Sequence, residues 1–339
     1  MEPTLKTKLP RFLKQAGIVL LVASAFIWIV RQGYSMEWTG FGKPVAGFPQ
    51  AKMLWEWMEL LLVPLVLTGG LMLLNRSGRD TERRRAEERA ALEREIARDH
   101  QQEQALQAYF GQMADLLLRE KLSKNSAEEI QNVARVRTLA VLRDLDAKRK
   151  GSVLLFLKDS ELIDREAVVD LSGADLSGAS LASASLHRVN LSEANMTGAD
   201  LSRANLSNAY LGGIGLSGAN LTGAELGGAD LFDANLSEAN LTRARLNQAN
   251  LNGADLRGSC LNQADLRKAN LSGVNLNVGD LVGANLREAN LGGAKLLGAD
   301  LREADLSLAN LSGTQIGETE LGKARSLDGT TLPDGTKHN

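Results

Sequence analysis

Ala229-Asp230-Leu231-Phe232-Asp233, Ala234-Asn235-Leu236-Ser237-Glu238, Ala239-Asn240-Leu241-Thr242-Arg243 and Ala244-Arg245-Leu246-Asn247-Gln248 are four successive five-residue units with leucine at the centre of each. Working outward, the same frame holds without insertion or deletion through 31 units centred from Leu171 to Leu321. Only Met196 and Ile316 replace the central leucine. Two places before the centre stands a small residue, Ala in 23 units, and the place between is Asp or Asn in 21. A period of five fits neither a helix nor a flat strand, so each unit must form one side of a coil. The leucine and the small residue are the apolar places, so both point to a common interior. Burying one leucine is worth roughly 1.5–3 kcal/mol, enough for a dry column to oppose the entropy of ordering short sides. Asp and Asn suit corners, because their short side chains bond neighbouring backbone groups and tolerate turn conformations.

The pattern A(D/N)LXX, carried by units such as Ala174-Asp175-Leu176 and Ala219-Asn220-Leu221, resembles that of the pentapeptide-repeat family. The resemblance covers residues 164–339. It implies a right-handed quadrilateral β-helix, four units to a coil, so that each leucine stacks on the one twenty residues later. At about 4.8 Å per coil, about eight coils make a rod of roughly 38 Å. Near the end the frame slips by one at Leu327, and Pro333-Asp334-Gly335 reads as a closing turn.

The chain has 339 residues, a net charge of −2, 4% aromatics and a single cysteine, Cys260. It is therefore neither disordered nor strongly ionic, and no intrachain disulfide can form, which fits a reducing compartment.

Before the repeats lie two apolar segments, 12–30 and 53–74, each about twenty residues and so long enough for about 30 Å of hydrocarbon. Residues 1–11 and the start of the first segment carry Lys6, Lys8, Arg11 and Lys14. Arg76, Arg79, Arg83, Arg84, Arg85 and Arg89 follow the second segment, and the loop 31–52 carries only Arg31, Lys43 and Lys52. The positive-inside rule then gives a transmembrane hairpin with both termini and the repeats in the cytoplasm. A cleaved signal peptide ending near Ala23-Ser24-Ala25 is the alternative for the first segment. Arg76, Arg79, Arg83, Arg84 and Arg85 serve either as this topology signal or as contacts to anionic lipid headgroups.

Residues 75–124 read as a charged helical stalk with a broken apolar stripe through Leu92, Ile96, Leu106, Phe110, Met113 and Leu117, and a coiled coil joining copies of the chain is one reading of it. Ser126-Ala127-Glu128-Glu129 fits a capping box opening a helix that runs to Lys148-Arg149-Lys150 and ends at Gly151. Residues 125–163 are assigned as a helical cap over the unpaired strand edges of the first coil. This order of hairpin, helical segment and repeats resembles a membrane-anchored subgroup of pentapeptide-repeat proteins in oxygenic photosynthetic bacteria. It implies an integral protein of a bacterial inner or thylakoid membrane.

Several local matches to chemistry are by-products of the repeat. Gly213-Ile214-Gly215-Leu216-Ser217-Gly218 satisfies GxGxxG without a strand-to-helix unit around it. Asn205-Leu206-Ser207 and similar triplets arise from the repeat phase. His100, His187 and His338 lie far apart with no metal-ligand spacing. No cofactor, metal or catalytic group is expected, and the chain is read as not an enzyme. Sorting positions at intervals of twenty separates four sides. The side beginning at Leu171 is flat and glycine-rich, with Tyr210, Gly212, Gly213 and Phe232 as a candidate partner-docking patch. The side beginning at Leu186 carries His187, Arg188, Arg267, Lys268 and Arg287.

Three functions follow: a membrane-tethered scaffold for an unidentified protein partner, a DNA mimic that binds topoisomerase, and a transport or channel component. The second is implied only by the family. Residues 170–339 hold 19 acidic and 13 basic residues, with Arg243, Arg245, Arg257, Arg267 and Arg287 interrupting any acidic stripe. A mimic needs a continuous negative field, which these arginines break, and no nucleic acid is expected as a partner.

Overall fold

The computed structural model describes residues 54–338, together with Ser24 and Trp28. The chain divides into two units, Met1–Arg94 and Glu95–Asn339. Among the described residues the helices with defined bounds are α1 (Leu54–Leu118), α2 (Glu128–Asp144), α3 (Ala147–Asp159) and the single turn α4 (Glu318–Leu321). Between α3 and α4 the chain winds as a parallel β-helix. Bridges such as Asp175↔Asn195 and Asn195↔Gly215 recur at intervals of twenty residues as far as Lys295↔Gln315, so four units complete each coil. The central leucines and the small residues two places earlier fill the interior and are almost all fully buried.

The backbone of one unit shows why this sequence takes this shape. Around Leu236, the Leu236 N–H donates to Asp255 O (2.7 Å) and the Glu238 N–H to Arg257 O (2.9 Å), both on the next coil. The Asn240 N–H reaches back to Ala219 O on the previous coil (2.9 Å), and the Ala239 N–H closes a turn on Leu236 O (3.1 Å). One amide is left over, that of Ser237, and the side chain of Asn235 accepts from it (3.1 Å). Buried or half-buried backbone donors need partners, so the Asp/Asn place is an obligation of the unit. All 21 Asp and Asn residues at this place accept from the N–H two residues on.

This corrects the expectation that Asp and Asn occupy the corners in turn conformation. They sit at the bridged position, and the corner is the pair after the leucine. The second residue of that pair has positive φ in every unit from Gly173 to Gly313, and it is glycine in 14 of those 29 units. With an i→i+3 hydrogen bond and positive φ at the third residue, each corner is a type II turn.

At the start of the solenoid, the Ser180 N–H donates to Ala147 O (2.9 Å) and the Asn190 N–H to Ile163 O (2.7 Å), so helix α3 and the segment after it take up strand-edge donors. Lys150, nearly buried, pairs with Asp175 (3.0 Å), and Arg135 of α2 pairs with Asp170 (3.1 Å). Met113, Leu142, Leu154 and Leu157 form the helical part of the core, and the rings of Tyr109, Phe110 and Phe156 cluster beside it. Tyr109 bonds Thr138 (2.9 Å), and burial pushes its hydroxyl pKa up to about 12. Arg149 gathers Asp99 (2.7 Å), Glu103 (3.2 Å) and Asp146, with Asp99 first among the groups that hold its guanidinium charged.

The helix boundaries differ from the sequence reading at three points. No capping box forms, because the Ser126 hydroxyl is spent on Ser123 O (2.7 Å) and the N-cap of α2 is Ala127 without a side-chain bond. The helix breaks at Leu145, where Asp146 caps a new one by accepting from the Arg149 N–H (2.9 Å). Gly151 ends nothing: it lies inside α3, where a methyl group would overlap the Ser180 carbonyl. Its role is close approach of helix to coil.

The unit centred on Leu321 is also not a side of the coil. Thr319 and Glu320 replace the small and Asp/Asn residues, the segment becomes α4, and the next bridges, Asp305↔Ser326 and Asn310↔Thr331, run at a spacing of 21. Beyond it the Gly335 N–H closes the Pro333-Asp334-Gly335 turn on Leu332 O (2.9 Å).

The expectation of an integral membrane protein is overturned. Among the described residues no helix is long and apolar enough to cross a membrane. The described part of the second segment, 54–74, is not a helix of its own; its backbone belongs to α1, which continues into the Arg- and Glu-rich residues that follow. The first segment, 12–30, and the loop 31–52 lie outside the described residues apart from Ser24 and Trp28. The two spans, the cytoplasmic placement derived from them and the transport reading built on that hairpin lose their footing together.

Candidate docking face

Each coil presents four faces, and three residues per unit look outward: the bridged residue before the leucine and the two turn residues after it. On the first face the bridged column runs Asn190–Tyr210–Asp230–Asn250–Asn270–Asn290–Asn310. Four of its rungs are also joined side chain to side chain. Asn250 Nδ2 donates to Asp230 (2.8 Å), Asn270 to Asn250 (3.0 Å), Asn290 to Asn270 (3.2 Å) and Asn310 to Asn290 (3.0 Å). Every amide in this ladder also accepts from the N–H two residues on, so the ladder orients one way and ends on the Asp230 carboxylate. Chains of this kind polarise each other and stiffen the surface. From Asn250 to Gly313 the outward residues of this face are Asn, Ser and Gly alone. The signal was open to view as asparagine recurring at twenty-residue spacing, and reading each unit singly passes over it.

The structure brings all four sequence-derived patch residues together above this ladder. Tyr210 is half-buried, and the guanidinium of Arg165 lies over its ring, 5.8 Å from the centroid. Arg165 belongs to the segment between α3 and the first coil and had no sequence signal. Gly212 and Gly213 follow Tyr210, and the Gly213 N–H donates to Phe232 O on the next coil (2.8 Å). A methyl on Gly212 would sit 3.8 Å from that same oxygen, while Gly213 has φ +64° and Glu193 leans over it. Phe232, 46% exposed, projects beside the two glycines, held at its base by Asp230 accepting from its N–H (3.3 Å).

The fourth face, around Leu186, is basic in sequence but largely neutralised in place. Arg267 pairs with Asp265 (2.6 Å), Arg245 with Glu225 (3.2 Å), and Lys268 and Arg287 both approach Glu288 (3.6 Å). The Arg267 guanidinium holds the Asp265 carboxyl below the ordinary carboxylate range, as Arg257 does for Asp255 and Arg302 for Asp300. Arg188 remains exposed, and His187 Nδ1 lies 3.3 Å from the Ser185 hydroxyl. A shallow polar hollow of about 330 Å³ lies over Gly227 and Gly228, between Asn208, Asn247 and the Glu225–Arg245 pair.

The remaining motifs fall away on geometry. Gly213 and Gly218 of the GxGxxG match are left-handed corner residues of two successive sides, with no helix to bind phosphate. Cys260 takes a bridged position, its Sγ near Asn262 Nδ2 (3.3 Å) and Thr242 Oγ1 (3.2 Å). Among the described residues no group of three or more His, Cys, Asp or Glu could hold a metal ion. Arg83, Arg84 and Arg85 stand exposed on α1, while the side chains of Arg76 and Arg79 lie outside the described ones.

A profile of pentapeptide repeats matches the chain in eight copies over residues 170–208, 199–237, 234–273 and 280–321. Among solved structures, the chain is similar to HetL, a pentapeptide repeat protein involved in heterocyst differentiation regulation from the cyanobacterium Nostoc sp. strain PCC 7120. That match is 32% identical, covers 55% of this chain and 98% of HetL, and has a TM-score of 0.32. It is also similar to Rfr23 of the cyanobacterium Cyanothece 51142, at 39% identity over 26% of this chain and 58% of that one (TM-score 0.21). The plasmid-mediated fluoroquinolone resistance protein QnrB1 matches at 18% identity over 51% and 89% (TM-score 0.32). No curated protein matches the chain. With HetL matched over nearly its whole length, the chain belongs to the pentapeptide-repeat family, whose members are right-handed quadrilateral β-helices and generally act as structural or interaction proteins.

Proposed function

We propose that the repeat region is a non-enzymatic protein-interaction module, and that its first face docks a protein partner at Tyr210, Gly212, Gly213 and Phe232. One observation carries the reading: a large apolar ring stands nearly half exposed beside paired glycines, on a face that otherwise has almost no relief. Binding energy at protein interfaces concentrates in a few aromatic anchors set in low, desolvated surroundings. Such a face also meets its partner already ordered. Its backbone is fixed by the coil-to-coil ladder and its side chains by the asparagine bonds, so little conformational freedom is lost on association. The comparison that tests this is affinity capture from native extract with the parent chain and with Tyr210→Ala/Phe232→Ala, both first shown to melt alike. Capture lost in the double variant is the expected result, and unchanged capture removes the patch.

A further inference from the structure

We infer that the segment docked on this face is basic, with lysine or arginine side chains set against Glu193, Asp230 and Asp233 and one cation over the Phe232 ring. The inference rests on the docking reading above and supplies the chemistry of the partner.

Three observations lead to it. The first is the sign of the charge. No lysine or arginine occupies any outward repeat position of the first face from Asp170 to Gly313, whereas the other three faces carry two, three and five. Its charges are Asp170, Glu193, Asp230 and Asp233. Asp170 is taken by Arg135, and the other three form no ion pair among the described residues. Elsewhere on the solenoid Asp255, Asp265, Asp300 and Asp305 each hold an arginine within 3.0 Å, while Asp200, Glu238, Asp280 and Glu303 form no ion pair among the described residues but share their faces with arginines. What sets the first face apart is therefore that none of its own outward positions supplies a positive charge to offset its three unpaired acids.

The second is placement. Glu193, Gly213 and Asp233 occupy the same corner column on three successive coils, and Gly213 leaves a gap between the two acids. Glu193 leans over Gly213, and Asp233 leans by the same sense over Gly253. Two coil spacings put the carboxylates about 9.6 Å apart. A polyproline II segment returns to the same side every third residue, after about 9.3 Å, so cations at i and i+3 of such a segment meet both acids. Phe232 and Asp230 flank this line in the same unit as Asp233.

The third is a precedent within the molecule. Arg165 already rests its guanidinium on Tyr210, one of the two aromatic residues of the face. Phe232, one coil further and exposed, makes no such contact among the described residues. A second guanidinium, brought by the partner, would repeat at Phe232 the stacking that Arg165 makes at Tyr210.

The test uses the full chain and a labelled peptide, Gly-Arg-Pro-Pro-Arg-Gly, with a glutamate-for-arginine version as control, in fluorescence anisotropy at low and high salt. The variant Glu193→Gln/Asp230→Asn/Asp233→Asn keeps the side-chain acceptor under Phe232 and a residue type that tolerates left-handed backbone. Binding of the arginine peptide is expected to weaken about tenfold or more in this variant and in Phe232→Ala, and to weaken with salt. A matched neutralisation on other faces, Glu238→Gln/Asp280→Asn/Glu303→Gln, leaves it unchanged. No binding by the parent, equal binding by the first variant, or equal loss in the second each overturns the basic partner. If capture in extract still depends on Phe232 while peptide binding ignores the three acids, the docking face stands and its partner is of another chemistry; if neither depends on them, both readings fall.

Discussion

Replacing Asn270 by alanine isolates the contribution that the bridged Asp/Asn place makes to the solenoid. Asn270 accepts from the Ser272 N–H (3.3 Å), donates to Asn250 (3.0 Å) and accepts from Asn290 (3.2 Å). Alanine removes all three while leaving the leucine column and the coil-to-coil backbone bonds in place. A net hydrogen bond is worth roughly 0.5–1.5 kcal/mol, and half-exposure favours the lower part of that range, so the loss should be about 1.5–3 kcal/mol. For a repeat region of this length, 1 kcal/mol moves the midpoint by roughly 2–4 °C, which puts the expected drop at about 3–12 °C. Asn270→Asp keeps the acceptor for Ser272 and loses only the donation to Asn250, so it should fall by about 1 kcal/mol. Lys295→Ala supplies the control. It alters the same structural position where the residue itself does not serve the amide two places on, since the Leu297 N–H donates to Asn277 Oδ1 instead (2.9 Å), and about 0.5 kcal/mol or less is expected. Thermal unfolding followed by far-ultraviolet circular dichroism reads all three. If Asn270→Ala melts with Lys295→Ala, the fifth-amide account of the repeat is wrong.

Other perturbations probe the remaining layers. Leu251→Ala empties part of the dry column at a fully buried position and should lower stability by about 2–5 kcal/mol in denaturant titration; a loss near that of a surface substitution would place the leucines outside the core. Gly151→Ala forces α3 off the first coil, and faster amide exchange in α2 and α3 with an unchanged solenoid is the expected pattern, against uniform exchange if the contact is incidental. Acid should loosen the helical end first. Partial burial alone would raise the Asp170 and Asp175 carboxyls, but bonds from Ser172 and Ser177 and the nearby Arg135 and Lys150 outweigh it and hold both low. Carboxyls lowered on folding stabilise above their unfolded pKa, and that stability fades as pH falls through the lowered folded value. The helical signal should therefore weaken below about pH 4. Lys150→Met should flatten that dependence, and an equally steep profile would exclude the Lys150–Asp175 pair as its source.

How much of this was legible depends on whether a feature repeats. The coil could be read from Leu171 onward because the leucine and alanine places recur dozens of times, and no other regular structure accommodates a period of five. The interior was legible for the same reason. Features that occur once were not. The break between α2 and α3 turns on Asp146 capping locally where the apolar pattern runs through, and Gly151 looks like a terminator unless Ser180 is known to lie against it. Ser126 presents a helix-start motif that a neighbour three residues back intercepts. Hydropathy and charge asymmetry point to a membrane hairpin, but both are properties of the segment alone, while residues 54–74 belong to a longer helix. At the candidate site, Tyr210, the glycines and Phe232 could be found by sorting the repeat into columns, but Arg165 lies outside the frame.

The repeat leaves little room in which function can be written. Of five positions per unit, the leucine and the small residue are committed to the interior, and the bridged residue is committed to the amide that the backbone leaves over. Only the two corner residues vary freely, and the second of them must tolerate positive φ. Glycine does so without strain, yet 15 of the 29 corners hold another residue, including the branched Val278 at +57°. Left-handed backbone costs such residues about 1–2 kcal/mol. A side chain at these corners is thus retained against a local penalty, and a few of them are tied to the adjacent coil, as Lys268 is to Glu288 (3.6 Å) and Arg243 to Gln263 (2.9 Å). On the first face the column is nearly all glycine, and the exceptions are Glu193 and Asp233. Those two acids bear the strain without an ion pair to offset it. They are the same pair that brackets Gly213 beside Phe232, on the face whose outward positions carry no lysine or arginine.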